Sequence, residues 1–133
     1  MKLFLGEYDH ALDERSRLML PRKIRQEIEA REIVLARGYD GCIFGFDIKA
    51  WENEAQKHLE TPVTDQKARE TRRYLFSGAE KVEMDKLGRI VLPQTLKAYA
   101  TIVRDIKVVG AGDHFELWDT KRWVEYQKRL GDK

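Results

Sequence analysis

Two short segments of the chain place an aspartate four residues before an arginine and then end in an apolar run closed by proline. They are residues 13–21 (DERSRLMLP) and residues 85–93 (DKLGRIVLP). The planar fork of an arginine, here Arg17 or Arg89, binds a phosphate or a guanine edge through two hydrogen bonds. The aspartate can instead hold its own arginine in an ion pair that shapes a hairpin. Both interpretations remain open, and they are compatible with each other.

The rest of the chain repeats at the same spacing. Eleven residues recur at a constant offset of 72 without a gap, and four of them belong to the two segments. The other seven pairs are Leu3/Leu75, Phe4/Phe76, Gly6/Gly78, Gly38/Gly110, Asp47/Asp119, Lys49/Lys121 and Trp51/Trp123. Self-similarity at a fixed spacing is the signature of a repeated structural unit. We therefore interpret residues 3–58 and 75–130 as two copies of one unit, joined by a connector with a helix at 59–74.

Charge is concentrated in the repeated motif. The 133 residues contain 25 Lys and Arg against 23 Asp and Glu, a net charge of +2 that excludes a histone-like polycation. Residues 12–25 contain five basic and two acidic residues, and residues 84–97 contain three and one, so the two windows carry +3 and +2 and the remainder carries −3. A local nucleic-acid interface is therefore predicted at the motif.

The candidate site residues follow from this distribution. Arg17 and Arg89 are expected to be the main base or phosphate contacts, with the other basic residues supporting them through phosphates. The predicted DNA-binding residues are Arg15, Arg17, Arg22, Lys23, Arg25, Lys86, Arg89 and Lys97. The residues expected to shape the motif are Asp13, Pro21, Asp85, Gly88 and Pro93.

The same order of elements is predicted for each copy. In the first copy it begins with an apolar strand at residues 3–5. A short strand stopped by proline and then a short amphipathic helix follow. These strands are predicted at 18–20 and 90–92, and the helices at 22–30 and 94–100. Hairpins follow around glycine-bearing turns, with strands at 32–37 and 42–46 in one copy and 105–109 and 114–118 in the other. A helix capped by Asp47 or Asp119 closes each copy, with Trp51 or Trp123 placed to dock it.

The small size of each copy favours a fold in which the two copies share one core. A copy of about fifty residues is near the lower limit for an independent core, so the copies are expected to bury their strands against each other. The predicted fold is α+β, a pseudo-twofold β-barrel of two tandem βαββα-like repeats with peripheral helices. The connector helix, from Thr64 to about Leu75, carries mixed charge that favours a solvated face over a nucleic-acid role.

Several function classes lack their sequence signals. Ser16, Ser77 and the three histidines form no recognisable catalytic motif, and three histidines with one cysteine give no zinc spacing. No phosphate-binding glycine motif is present. We expect no enzymatic activity, cofactor, metal or small-molecule ligand. The single cysteine, Cys42, and the absence of a signal-peptide or membrane-span pattern predict a cytoplasmic protein without a disulfide, nucleoid-associated if it binds DNA.

The repeated motif also carries a family resemblance. The D-x-x-[GS]-R segments, the phrase at residues 76–79 (FSGA) and the phrase at 115–118 (FELW) followed by Trp123 resemble the MraZ family over residues 3–127. Those bacterial proteins consist of two tandem SpoVT/AbrB-type DNA-binding units. The resemblance implies a swapped-hairpin type of barrel, ring-shaped homo-oligomers and transcriptional regulation at repeated sites upstream of the division and cell-wall gene cluster.

One position departs from the family pattern. Ser16 occupies a place where such families usually have glycine, and Gly88 keeps the glycine in the second copy. A serine is costly there if the loop requires a positive φ, so the first loop is expected to differ in shape or contact strength.

A second function class remains open. The same barrel could serve as an antitoxin-like or protein-binding module, with a protein as its main ligand. Antitoxins of this fold generally carry one such unit and a disordered tail, whereas this chain has two units and a short tail at residues 127–133. We therefore favour duplex DNA as the partner.

Overall fold

The computed structural model describes residues 1–131 as two interleaved copies of a ββαββα unit. The first copy and the connector helix comprise β1 (Glu7–Ala11), β2 (Arg17–Met19), α1 (Arg22–Arg25), β3 (Glu32–Arg37), β4 (Ile43–Asp47), α2 (Ile48–Glu60) and α3 (Gln66–Ser77). The second copy comprises β5 (Glu80–Glu83), β6 (Arg89–Val91), α4 (Gln94–Tyr99), β7 (Asp105–Gly110), β8 (Phe115–Asp119) and α5 (Thr120–Gly131).

The two copies exchange strands. A six-stranded antiparallel sheet has the order β1-β7-β8-β4-β3-β5, so each copy's first strand pairs with the hairpin of the other copy. The remaining strands, β2 and β6, pair with each other in a separate ribbon. In the register, Leu18 faces Ile90 and Phe44 faces Glu116, and both pairs differ by 72 in number. The repeat in the sequence is therefore a pseudo-twofold axis in the structure.

One continuous core joins the copies. Leu18, Leu20 and Ile24 from the first copy pack with Ile90 and Leu96 from the second, all almost completely buried. A second cluster lies under α5, where Trp123 packs on Trp118 and Tyr126. Because the main core draws on both copies, neither copy has a complete core of its own.

The β-barrel predicted from the sequence is not closed in the structure. Within residues 1–131, β1 and β5 do not pair with each other and remain the two edges of the six-stranded sheet. The α+β class and the two-repeat architecture are correct. The βαββα-like order lacks the first strand of each copy, because the charged strands Glu7–Ala11 and Glu80–Glu83 have no apolar run by which a strand is located.

The predicted first strand at residues 3–5 is also wrong. Only Phe4 pairs there, in an isolated bridge to Gly112, and the chain then turns at Gly6, whose φ is +90°. The equivalent residues Leu75 and Phe76 lie in α3 instead. Identical residues therefore take different conformations in the two copies, because α3 continues the preceding connector whereas Phe4 inserts against Phe115 in the core.

The predicted helices are largely present. Asp47 and Asp119 cap α2 and α5 by accepting hydrogen bonds from the amides of Ala50 (2.9 Å) and Arg122 (3.2 Å). The helix predicted at residues 22–30 stops at Arg25, after which backbone hydrogen bonds join residues three apart in tighter turns and carry Ile28 into the core.

The connector helix is not simply solvated. Ala68 and Leu75 on one face of α3 are buried, and Arg72 donates to the carbonyl oxygens of Leu59 and Thr61 at the end of α2. The connector thus packs on α2 and contributes to the fold. Between residues 1 and 131, no helix combines the length and apolar character needed to cross a lipid bilayer.

Candidate nucleic-acid interface

The first motif loop is organised around the carboxylate of Asp13. Its Oδ1 accepts hydrogen bonds from the backbone amides of Arg15 and Arg17, both at 2.9 Å, and its Oδ2 accepts from Arg17 Nε at 2.7 Å. The turn is closed by the Ser16 amide, which donates to the Asp13 carbonyl oxygen. One side chain therefore fixes both the backbone of the loop and the guanidinium that follows it.

The second loop reproduces this geometry closely. Asp85 Oδ1 accepts from the amides of Leu87 and Arg89 at 2.9 Å, and its Oδ2 accepts from Arg89 Nε at 2.7 Å. The side chains of Arg17 and Arg89 are 28% and 27% exposed. The two internal ion pairs considered from the sequence are thus present, and each uses Nε, so the two terminal nitrogens of each guanidinium extend beyond the ion pair.

The aspartates are held in their charged form. Hydrogen bonds to the carboxylate keep the pKa of Asp13 below its ordinary value. The largest effect comes from the backbone amide of Arg17, and smaller effects come from its side chain and from the amide of Arg15. The amide and side chain of Arg89, with the amide of Leu87, lower the pKa of Asp85 in the same way. The carboxylates therefore accept hydrogen bonds continuously at neutral pH.

A backbone requirement explains the variable residue in the motif. Ser16 has φ +59° and Gly88 has φ +85°, so both loops use the left-handed region that disfavours side chains. The loop therefore does require a positive φ at this position in both copies. The expected difference in loop shape is not present, because both loops make the same internal hydrogen bonds.

The two loops differ in what braces them from the other copy. Arg25 Nη1 donates to the Leu87 carbonyl oxygen (3.0 Å), and a Cβ added at Gly88 would lie 2.3 Å from that nitrogen. At the first loop, Lys97 Nζ donates to Ser16 Oγ at 3.0 Å. Positions 25 and 97 are equivalent in the repeat. Arginine therefore accompanies glycine at one loop, and lysine accompanies serine at the other.

The ribbon formed by β2 and β6 carries the two loops at its opposite ends. The amide of Leu20 donates to the Gly88 carbonyl oxygen, and the amide of Leu92 donates to the Ser16 carbonyl oxygen. Within the ribbon, Arg17 faces Val91 and Met19 faces Arg89. The diagonal separation of Arg17 and Arg89 is about 8 Å, from the ordinary spacing of antiparallel strands. Both arginines therefore stand on one small outward face.

The other predicted residues fall into two groups. Arg15 and Lys86 are exposed on the two loops, and Arg22 and Lys23 are exposed on α1. Arg25 and Lys97 are half-buried and act as the braces described above. Pro21 and Pro93 precede α1 and α4 at their N-caps, with φ of −56° and −59°.

Two further cations beside the loops carry no signal in the repeat at the offset of 72. Arg104 lines an open groove of about 540 Å³ together with Asp13, Arg15 and Arg17. Its carbonyl oxygen accepts from the Leu12 amide, and the Arg31 carbonyl oxygen accepts from the Met84 amide in the other copy. The offset between Arg31 and Arg104 is 73, so the two residues do not align at the constant offset of 72.

Cys42 precedes β4 and His114 precedes β8, so both lie outside the ribbon. Cys42 is buried, which raises the pKa of its thiol far above the ordinary value. His114 lies between Asp113 and Glu116 and stacks on Phe46. Among residues 1–131, no group of three or more histidine, cysteine or acidic residues is arranged to bind a metal ion.

Comparison with known protein families matches the chain twice. Residues 3–74 and 75–133 each match the family described as "MraZ protein, putative antitoxin-like". The two matches together cover nearly the whole chain, and each contains one of the Asp-Arg loops described above. The chain belongs to the MraZ family.

Proposed function

We propose that the protein is a sequence-specific DNA-binding transcriptional regulator and that the β2–β6 ribbon enters the major groove of duplex DNA. The observation that carries the proposal is the identical, aspartate-held presentation of Arg17 and Arg89 on one exposed ribbon. The major groove admits a two-stranded ribbon, and arginine is the residue that most often reads guanine there. The exposed cations Arg15 and Lys86 at the two ends are placed for phosphate contacts.

The same proposal extends to how the protein acts. Two arginines give limited affinity alone, whereas linked copies on spaced DNA repeats gain through effective concentration. We propose a homo-oligomer, ring-shaped as the family resemblance implies, bound to repeated promoter sites. The proposed target is the region upstream of the division and cell-wall gene cluster, with the protein associated with the nucleoid.

An electrophoretic mobility shift tests the ribbon directly. The probe is the DNA upstream of the protein's own gene, with competitor DNA at physiological salt. The variant combining Arg17→Ala and Arg89→Ala should bind at least about thirtyfold more weakly, because each arginine contact to a base contributes about 1–3 kcal/mol. A matched control combines Arg73→Ala and Arg129→Ala, which removes two exposed arginines from α3 and α5. Equal affinity of the ribbon variant and wild type would refute the assignment.

A second candidate function is supported by the family's own description, which is antitoxin-like. In that case the same ribbon and loops would contact a protein. The two functions differ in their response to salt, because DNA binding releases counterions and weakens steeply as salt rises. The affinity for the upstream DNA is measured between about 50 and 200 mM salt. An affinity that stays constant over this range would favour the protein ligand.

A further inference from the structure

The outward face of the ribbon carries two apolar side chains that the fold does not require. Met19 and Val91 occupy equivalent positions in the two copies and are 36% and 55% exposed. Leu18 and Ile90, the residues that precede them in each strand, point inward and are almost completely buried. Solvent-facing positions of such a strand are ordinarily polar. Both copies therefore place an apolar group where packing offers no reason for it.

We propose that Met19 and Val91 read thymine methyl groups in the major groove, beside guanines contacted by Arg17 and Arg89. This inference rests on the proposed function and names specificity residues within it. Thymine is distinguished in the major groove by its C5-methyl group, which apolar side chains contact. The apolar pair would therefore select among sequences that contain guanine in the same positions.

The register places the two kinds of contact together. Val91 stands directly opposite Arg17, and Met19 directly opposite Arg89. Side chains at such positions are about 5 Å apart at Cβ, which lies between one and two of the steps of about 3.4 Å that separate successive bases of a strand. Each end of the ribbon thus offers one guanidinium and one apolar group at a spacing suited to neighbouring base pairs.

The surroundings favour DNA over a protein partner for this apolar pair. Arg17 and Arg89 lie on the same face, and the exposed Arg15 and Lys86 lie on the loops at its ends. The nearby carboxylates of Asp13 and Asp85 are already occupied by the arginines. A very small apolar patch with a cationic border matches a polyanion that displays methyl groups.

The two apolar positions are not equivalent in detail. Arg25 Nη1 lies 3.8 Å from Met19 Sδ, whereas Val91 has the greater exposure. We therefore expect Val91 to contribute more to thymine recognition than Met19. This ranking separates a specific contact from a general effect of surface hydrophobicity.

Deoxyuridine substitution tests the proposal, because it removes only the methyl group of thymine. Duplexes are first selected from a random pool with the wild-type protein, and each thymine of the selected site is then replaced singly by deoxyuridine. We expect at least one replacement to weaken binding about three- to tenfold. In Val91→Ser, which removes both methyl groups from this exposed side chain, thymine and deoxyuridine duplexes should bind equally at that position. Met19→Gln should reduce the discrimination at a second, weaker position.

Val103→Ser is the matched control. Val103 is 83% exposed and lies outside the ribbon, so this variant should keep full thymine discrimination. Positions 19, 91 and 103 are all exposed, so the three variants should unfold at nearly the same temperature as the wild type. Their thermal midpoints therefore verify that the fold is retained. Equal binding of thymine and deoxyuridine duplexes by the wild type would overturn this inference while leaving the proposed function intact. Selection that yields no preferred duplex would overturn the proposed function itself.

Discussion

At the scale of single residues, the site depends on a pairing between loop and brace. In each loop, the residue with positive φ lies beside a cationic side chain from the other copy. Gly88 lies beside Arg25, and Ser16 lies beside Lys97. Glycine leaves room for the larger guanidinium, whereas the serine hydroxyl accepts from the slimmer ammonium group. Each brace therefore fits the residue that its loop carries.

Exchange of these partners gives the first prediction. Gly88→Ser should lower the free energy of unfolding by about 1–2 kcal/mol, because a side chain is strained at φ +85° and the new Cβ meets Arg25. Adding Arg25→Lys recreates the Ser16–Lys97 pair and should restore part of this loss. Urea denaturation measures both variants. A double variant no more stable than Gly88→Ser would show that the braces are not matched to their loops.

At the scale of elements, the ribbon is too short to be stable by its own hydrogen bonds. Each of its strands has three residues, and an isolated two-stranded ribbon is marginal in water. Its position instead depends on the inward side chains Leu18 and Ile90, which face each other on the pseudo-twofold axis and are packed in the core. The face that carries the arginines is thus held from beneath.

Truncation of the inward side chain gives the second prediction. Ile90→Ala should destabilise the protein by about 2–4 kcal/mol, because it removes buried methyl groups and leaves a cavity. The neighbouring Val91→Ala is the control and should change stability by less than about 0.5 kcal/mol, because Val91 is exposed. Thermal or urea unfolding distinguishes the two. Similar losses for both variants would contradict the inward and outward assignment.

At the scale of the whole molecule, the pseudo-twofold axis joins unlike residues at the centre of the sheet. Phe44 and Glu116 face each other there, and Glu116 accepts hydrogen bonds from Trp118 and contacts His114. Burial opposes protonation of His114, but the hydrogen bonds to Glu116 and Asp113 outweigh it and raise the pKa of the histidine. The two carboxylates therefore favour the protonated form of His114 beside the sheet.

This arrangement gives the third prediction, a dependence of stability on pH. Because the folded pKa of His114 exceeds its ordinary value of 6.5, its contribution is complete below that pH and is lost as the pH rises through the folded value. His114→Gln should remove this decline. Burial lowers the pKa of His10, which has the opposite sign, so the measurement is the difference between wild type and variant from pH 6 upward. A difference that does not change with pH would contradict the charged His114.

Much of the site could be predicted from the sequence. The ion pairs of Asp13 with Arg17 and of Asp85 with Arg89 join residues four apart, and the helix caps at Asp47 and Asp119 join residues three apart. Such contacts form within one turn of chain, so residue type and spacing determine them. The constant offset of 72 likewise predicted the two-copy architecture.

The sequence by itself determined the repeat, the charge of the motif and the ion pair within each loop. Only the tertiary structure decided which copy braces which loop, through contacts that join residues 62 and 81 positions apart. It also left the sheet open at β1 and β5 and placed Arg104 beside the first loop. These features depend on strand exchange between the copies. Neither the spacing nor the type of nearby residues carries that information, because the partners meet only when both copies are packed in one core.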